Sequence, residues 1–445
     1  MRANSRILAV YLAGVFIGSL DTNVLGPVLP SIARGLHVSF AWTAWTVTAY
    51  MVAYVTSTAI GGASGDRYGR HRLFVLGIAG FGAASLLAAL SQGFGIFVLA
   101  RVIQGAAAGL VYPNAMAQGT DQFPPERRGA ALGLFGAIFG LATIIGPNVG
   151  GALGQYVGWQ SIFWLNVPFA LIVLAMARGL PAGASRAAQA VPDWLGGVGF
   201  AGFLASLLLL ISTGQPLIAA ACAACLVLFL ARQRGAAKPF LDARPLRSGR
   251  GVAIIAGAAL VGYDLAAAVF VPTLAQRALH FSVLQSGLAL MPAAVSGAVL
   301  AGVAGVMSDR VGPRILLQIG MVAAVAGGVL LSLPHLTLAA FFSAMVLFGI
   351  ATSLTLSAPL NRLGMALYRD EQSAEALSLM AVFRSVGLAA GAVLMTLALG
   401  WRGFPAMFGS VALASLLGAV AFTMVPDVRP AARGIARVPP ARSRV

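Results

Sequence analysis

Residues 62–72 read Gly62-Ala63-Ser64-Gly65-Asp66-Arg67-Tyr68-Gly69-Arg70-His71-Arg72, and residues 305–314 read Gly305-Val306-Met307-Ser308-Asp309-Arg310-Val311-Gly312-Pro313-Arg314. Both contain glycine, three residues, Asp-Arg, one residue and glycine, and both close on a basic residue. The two aspartates lie 243 residues apart in a chain of 445. One element recurring at that separation points to two homologous halves. Each copy is a short polar connection between long apolar runs, so the repeat also sets the class of the chain: many helices crossing a bilayer, joined by short turns.

Composition agrees. The chain is 59% hydrophobic and 9% charged, against about a quarter charged in ordinary soluble domains. A soluble protein of this size could not hide so much apolar surface. The 54 glycines and 22 prolines suit membrane helices, where small residues let backbones approach closely. No cleaved leader is expected: Met1–Arg6 is a short basic start, and the apolar run from Ile7 is too long for a signal peptide.

A helix needs about 20 apolar residues to cross the hydrocarbon core. Such runs cover 7–29, 42–63, 73–91, 94–119, 129–152, 160–178, 194–213, 216–231, 252–275, 283–306, 314–332, 336–358, 378–400 and 404–425, fourteen in all. With the N-terminus in the cytoplasm, 24 of the 29 Lys and Arg fall in cytoplasmic segments. Three (Arg34, Arg277 and Arg402) fall outside, and Arg101 and Arg384 lie within spans. Basic residues concentrate on the cytoplasmic side of membrane proteins. The net charge of +17 is therefore a topology signal rather than a nucleic-acid footprint, and both termini are expected inside.

The repeated loop resembles the signature between helices 2 and 3 of the major facilitator superfamily. Leu99-Ala-Arg101-Val-Ile-Gln104-Gly105-Ala-Ala-Ala-Gly109 resembles that family's helix-4 motif, and Gly140-Leu-Ala-Thr-Ile-Ile-Gly146-Pro147-Asn-Val-Gly150-Gly151 its antiporter-type helix-5 motif, with Ala142 where the family has glycine. Leu20-Asp21-Thr22-Asn23-Val-Leu-Gly-Pro-Val-Leu29-Pro30 and Trp159-Gln-Ser-Ile-Phe163-Trp-Leu-Asn166-Val-Pro168 are similar to the first-helix and sixth-helix motifs of the fourteen-helix drug/proton antiporters, with Gln160 in place of the usual arginine. The resemblance implies an all-α major facilitator fold of two six-helix bundles plus two extra helices. The expected units are a bundle over 1–180, a linker with the two extra spans over 181–250, a second bundle over 251–425 and a cytoplasmic tail over 426–445, disordered by its Arg- and Pro-rich composition.

Twelve acids exist in the chain. Asp21 and Asp264 fall inside spans, where a carboxylate is costly unless paired, protonated or facing water. At about 1.5 Å rise per residue, Asp21 and Arg101 reach similar depths from the outer surface, so a direct or water-mediated interaction is expected. It is either a coupling element or a static buried pair. Asp264, preceded by Tyr263, sits near the midplane. It reads as a proton carrier, a counter-ion for a cationic substrate, or an acid bonded to a neighbouring helix. Arg384 could face the substrate or snorkel to the interface. Asn23 and Asn114 could line a cavity or bond across helices. Tyr50, Tyr54 and Tyr112 offer π faces, while Trp42 and Trp45 read as belt residues at the outer interface.

Gly62, Asp66, Arg67, Gly69, Arg70 and Arg72, with Asp309 and Arg310 in the second copy, are expected to form a gating loop. By the resemblance, such a latch favours the outward-open state. Gly146, Pro147, Gly150 and Gly151 should permit close packing and a bend. Cys222 and Cys225 lie in an apolar span without companion ligands, the four histidines share no metal-type spacing, and no phosphate-binding loop is present. No cofactor or metal is therefore expected, and no enzyme activity. The combined expectation is a monomeric, proton-coupled exporter in the cell (inner) membrane that carries small amphipathic or cationic compounds by alternating access. A dedicated metabolite or lipid exporter is the alternative.

Overall fold

A computed structural model describes residues 2–180, 193–236, 239–241, 244–356, 358–367 and 373–425. The first stretch of the 181–250 linker and the whole 426–445 tail lie outside these. Every regular element among the described residues is a helix. In hydrocarbon a backbone N–H or C=O has no water partner, and a helix satisfies both groups within one segment.

The first half runs α1 (Arg2–Val24), α2 (Leu29–Gly35), α3 (Ala44–Tyr68), α4 (Arg70–Ala89), α5 (Phe94–Thr120), α6 (Pro125–Tyr156) and α7 (Gln160–Ala177). The hairpin α8 (Trp194–Thr213) and α9 (Pro216–Gly235) follows. The second half runs α10 (Gly249–Ala278), α11 (Val283–Leu288), α12 (Met291–Val311), α13 (Pro313–Leu331), α14 (Leu338–Leu356), α15 (Ala358–Met365) and α16 (Ser373–Thr423). Helix α16 is two arms: Arg402 and Gly403 leave helical geometry, and Gly403 has φ +72°. The break falls between the 378–400 and 404–425 runs expected from sequence.

Helix α1 packs on α5, α6 and α7, and α3 and α4 pack on α5. In the second half α10 and α13 pack on α16, and α12 and α13 on α14. The halves meet where α3 crosses α16 and where α6 crosses α11 and α12. The α8–α9 hairpin leans on α3 and touches α16. Asp193 anchors it, accepting from Gly196 N as the α8 cap and from Arg232 at the end of α9 (2.9 Å).

Twelve stretches are long and apolar enough to cross a membrane among the described residues. Helix α3 is not one of them, because its 25 residues include several Thr, Ser and Gly plus an Asp-Arg end. The stretch Leu379–Thr423 counts once although it contains the break in α16. The chain is therefore an all-α polytopic membrane protein.

The repeated motif is not a loop over most of its length. Helix α3 continues through Gly62, Asp66 and Arg67 to Tyr68, and α12 continues through Asp309 and Arg310 to Val311. Only Gly69 (φ +97°) and Gly312 (φ +96°) leave the helix, and each is followed at once by the next helix. The two halves thus repeat one turn: a positive φ that favours glycine, set between two helices whose carbonyls and amides are otherwise satisfied internally.

Candidate functional site

In the first half, five helices converge around one carboxylate. Asp21 of α1 is fully buried, as is Arg101 of α5, and Arg101 Nη1 lies 2.6 Å from Asp21 Oδ2. Gln104, one turn along α5, donates to Asp21 Oδ1 at 3.2 Å and to Ser85 Oγ of α4 at 2.7 Å, while its Oε1 accepts from Arg101 Nη1 at 2.6 Å. Asn166 of α7 donates to Asp21 Oδ1 at 2.8 Å. Arg101 Nε donates to the Thr46 carbonyl of α3 at 3.0 Å. The guanidinium also lies over the Tyr50 ring, 4.4 Å from its centroid, and Tyr50 stacks on Tyr54 with centroids 6.0 Å apart.

Two opposite charges removed from water must satisfy each other and their remaining donors and acceptors. Here each carboxylate oxygen is bonded and the guanidinium is spread over an acid, an amide, a carbonyl and a π face. The depth argument from sequence brought Asp21 and Arg101 together. It did not bring in Asn166, Ser85 or Thr46, which stand on other helices. The polar side chain of Asn166 within an apolar run was the one signal available, and nothing in the sequence tied it to Asp21.

Asp264 and Tyr263 of α10 turn to the second arm of α16. Asp264 Oδ1 accepts from Ser415 Oγ at 2.8 Å, and the Tyr263 and Ser410 hydroxyls are 2.7 Å apart. Asp264 forms no ion pair among the described residues. Asn23 donates to Ser19 O of its own helix. Asn114 bridges α5 to α3, donating to Gly61 O at 3.1 Å as well as to Leu110 O. Arg384 is half-buried on the first arm of α16, and its carbonyl is packed on α10, where a Cβ on Gly262 would strike it. Trp45 departs from the belt reading: it is buried against the core, while Trp42 is exposed.

The residues expected to gate divide. Arg70 bonds Asp66 through Nε and Nη2 (2.8 and 2.7 Å) and Asp121 at the end of α5 through Nη1 (2.6 Å), tying the Gly69 turn to α5. The Arg67 guanidinium lies over the Tyr68 ring. Arg72 and Arg310 are exposed, and the Asp309 side chain lies outside the described residues.

The α6 motif has two faces. A Cβ on Gly146 would meet Asn23 Cβ at 2.6 Å, and one on Gly150 would strike the Val24 carbonyl, both on α1. A Cβ on Gly151 would meet Val283 O at 2.9 Å and Leu284 Cα at 3.1 Å, and one on Gly287 of α11 would strike the Pro147 carbonyl. Gly151 and Pro147 therefore abut the second half. Further contacts between the halves gather at this end. Gln276 donates to Pro27 O (2.7 Å), Leu284 N to Gln155 Oε1 (2.9 Å) and Asn148 Nδ2 to Met291 Sδ (3.2 Å), while Arg277 lies over Phe40 at 4.7 Å.

Two helical halves with a shared turn, abutting through bare backbone, are the plan of many membrane transporters. The model of the Major Facilitator Superfamily matches residues 11–392 and 252–444, and the chain belongs to that family. It is 31% identical over 363 residues to the puromycin resistance protein pur8 of Streptomyces alboniger, covering 77% of this chain and 71% of that protein. It is 29% identical over 349 residues to the tetracenomycin C resistance and export protein of Streptomyces glaucescens, covering 72% of this chain and 61% of that protein. Among solved structures, the peptide transporter POT in complex with sulfate superposes with a TM-score of 0.72 at 17% identity, covering 94% of each chain, a likeness of fold. The relatives and structural neighbours are transporters, in keeping with a carrier of small molecules and not an enzyme.

Proposed function

We propose that the chain is a secondary active exporter that couples proton entry to the efflux of small amphipathic compounds. The observation that carries this reading is the Asp21–Arg101 pair, fully buried at 2.6 Å. A proton on Asp21 would cancel the charge that holds Arg101. The guanidinium would then rest on Gln104, the Thr46 carbonyl and the Tyr50 ring, and α1 would be freed from α5. Helix α1 also touches α6 at Gly146 and Gly150, so this change reaches the helix that abuts the other half. Resistance relatives support export as the direction.

The topology we assign has fourteen crossings: the twelve apolar stretches, with the two arms of α16 counted separately, and α3. Both termini lie in the cytoplasm, in line with 24 of 29 basic residues on that side. The abutting end, with Pro27, Gln155 and Leu284, then faces outward and is closed. Residues 1–180 and 251–425 rock against each other around the closed end, and the protein acts as a monomer in the cell membrane.

The test is gradient-driven flux in proteoliposomes with a probe panel of a cationic dye (ethidium), a neutral amphipath and an anionic aromatic. Wild type should move at least one probe when a pH gradient is imposed, and Asp21→Asn should abolish the gradient-driven part. Asp264→Asn decides whether the second membrane acid shares the task. Flux that ignores the gradient for every probe would remove proton coupling and leave a dedicated metabolite or lipid carrier.

A further inference from the structure

The spacing of 243 residues that relates the Gly69 and Gly312 turns also relates the segments that close α2 and α10. Arg34-Gly35-Leu36-His37-Val38-Ser39 and Arg277-Ala278-Leu279-His280-Phe281-Ser282 share Arg-x-Leu-His-x-Ser, and their arginines are again 243 residues apart. The structure repeats with the sequence. Helices α2 and α10 each carry the arginine in the last turn. Each is followed by a histidine in left-handed backbone, His37 at φ +54° and His280 at φ +55°. A left-handed residue ends a helix and turns the chain back over its last carbonyls. Val38 N accordingly bonds Ala33 O at 3.0 Å, and Phe281 N bonds Ala275 O at 3.1 Å.

The two copies meet across one crevice of about 440 Å³. Three equivalent pairs line it, each 243 residues apart: Ala33 with Gln276, Arg34 with Arg277, and Val38 with Phe281. The crevice therefore straddles the boundary of the halves on their internal symmetry. Gln276 fixes that boundary by donating to Pro27 O at 2.7 Å, and the Phe40 ring meets Phe270 edge-on at 6.2 Å. Arg277 lies over Phe40, and Arg34 Nη2 donates to Ser31 Oγ at 3.2 Å. Neither arginine is in an ion pair among the described residues, and no acid lines the crevice.

A cation in the last turn of a helix suits the carbonyl end of its dipole. That accounts for one arginine on each helix. It does not account for two like charges, one from each half, in a single crevice with no carboxylate to balance them. Both arginines are exposed, so salt weakens their repulsion, but its sign still opposes closure. A multiply charged oxyanion between them reverses that sign. Guanidinium forks match phosphate oxygens in two-point bonds. We propose that this crevice is a phosphate site: Arg34 and Arg277 clamp a phosphate group, free or as a lipid headgroup, and thereby hold this end of the molecule closed. Placing the site on the outer face rests on the topology assigned above; the binding does not.

Calorimetry on purified protein in neutral detergent, in chloride at constant ionic strength, tests the site without requiring transport. The probes are inorganic phosphate and dihexanoyl phosphatidylglycerol, with dihexanoyl phosphatidylcholine as the zwitterionic control. Wild type should bind phosphate or the anionic lipid saturably, one per chain, and at least tenfold more tightly than the control. The tighter of the two names the source. Arg34→Gln and Arg277→Gln should each weaken that binding tenfold or more with unfolding transitions near that of wild type, while Arg402→Gln, an exposed arginine outside the crevice, should leave it within about twofold. If one variant does not fold, the other decides. A cysteine replacing Leu284, which meets Gln155 of the other half through its backbone and does not line the crevice, should react with a polar maleimide several-fold more slowly when the bound probe is present. No saturable binding, binding untouched by both crevice substitutions, or equal loss in Arg402→Gln would each overturn the site. Unchanged labelling at position 284 with the probe bound would overturn the clamp. Binding with the expected pattern alongside flux that ignores a pH gradient leaves the site standing and removes proton coupling.

Discussion

Asp21 ties α1 to α5 and α7 through two oxygens, and its removal strands a cation rather than deleting a contact. Asp21→Asn leaves Arg101 buried with no opposing charge, and breaking one side of a buried pair costs about 3–5 kcal/mol. The expected outcome is a lower unfolding transition in detergent together with loss of gradient-driven flux. Asn166→Ala is the milder companion. It removes one of the three bonds to Asp21 and should cost about 1–3 kcal/mol. Arg101→Lys keeps the charge but not the fork: the Thr46 carbonyl is reached from Nε, and Asp21 and Gln104 from Nη1, and an ammonium cannot hold that plane over Tyr50. A variant that folds but couples poorly is expected, measured as flux per imposed pH unit.

At the scale of elements, α6 is where close packing and motion coincide. Gly150 faces α1 and Gly151 faces α11, so adjacent glycines serve different interfaces. Gly150→Leu should fail within the first half and destabilise it. Gly151→Leu should leave each half folded but hold the abutting end apart, exposing a cysteine introduced at Val38, which lines the crevice there, to a membrane-impermeant maleimide. Equal labelling of that cysteine with and without Gly151→Leu would sink this account. The α8–α9 hairpin is held at its base by Asp193. Asp193→Ala removes the α8 cap and the bond from Arg232, and a lost cap costs about 1 kcal/mol; the hairpin should become protease-sensitive near Arg232 while the halves stay folded.

For the whole molecule, the assigned topology puts Arg34, Arg277 and Arg402 on one side and the Gly69 and Gly312 turns on the other. Single cysteines at Arg34 and Arg402 should react with an impermeant maleimide added to intact cells, whereas one at Arg72 or Arg310 should react only after permeabilisation. Reaction at Arg402 from outside also decides that the break in α16 reaches the far surface, and so that its arms are two crossings.

Local regularities were readable in the chain alone. Apolar runs of membrane length, the basic bias of the loops and the twin Asp-Arg-x-Gly turns each depend on a few neighbouring residues, and they led to an all-helical, two-half membrane fold of this family. The pairing of Asp21 with Arg101 was also within reach, because two charges at one depth in hydrocarbon have few other partners. What depended on helix rotation was not legible. Sequence spacing gives the depth of a side chain but not the azimuth of its helix, which packing against several others sets at once. That is why Asn166, Ser85 and Thr46 entered the Asp21 cluster only with the fold, why Asp264 turned to Ser415 within its own half, and why Trp45 went to the core while Trp42 stayed outside.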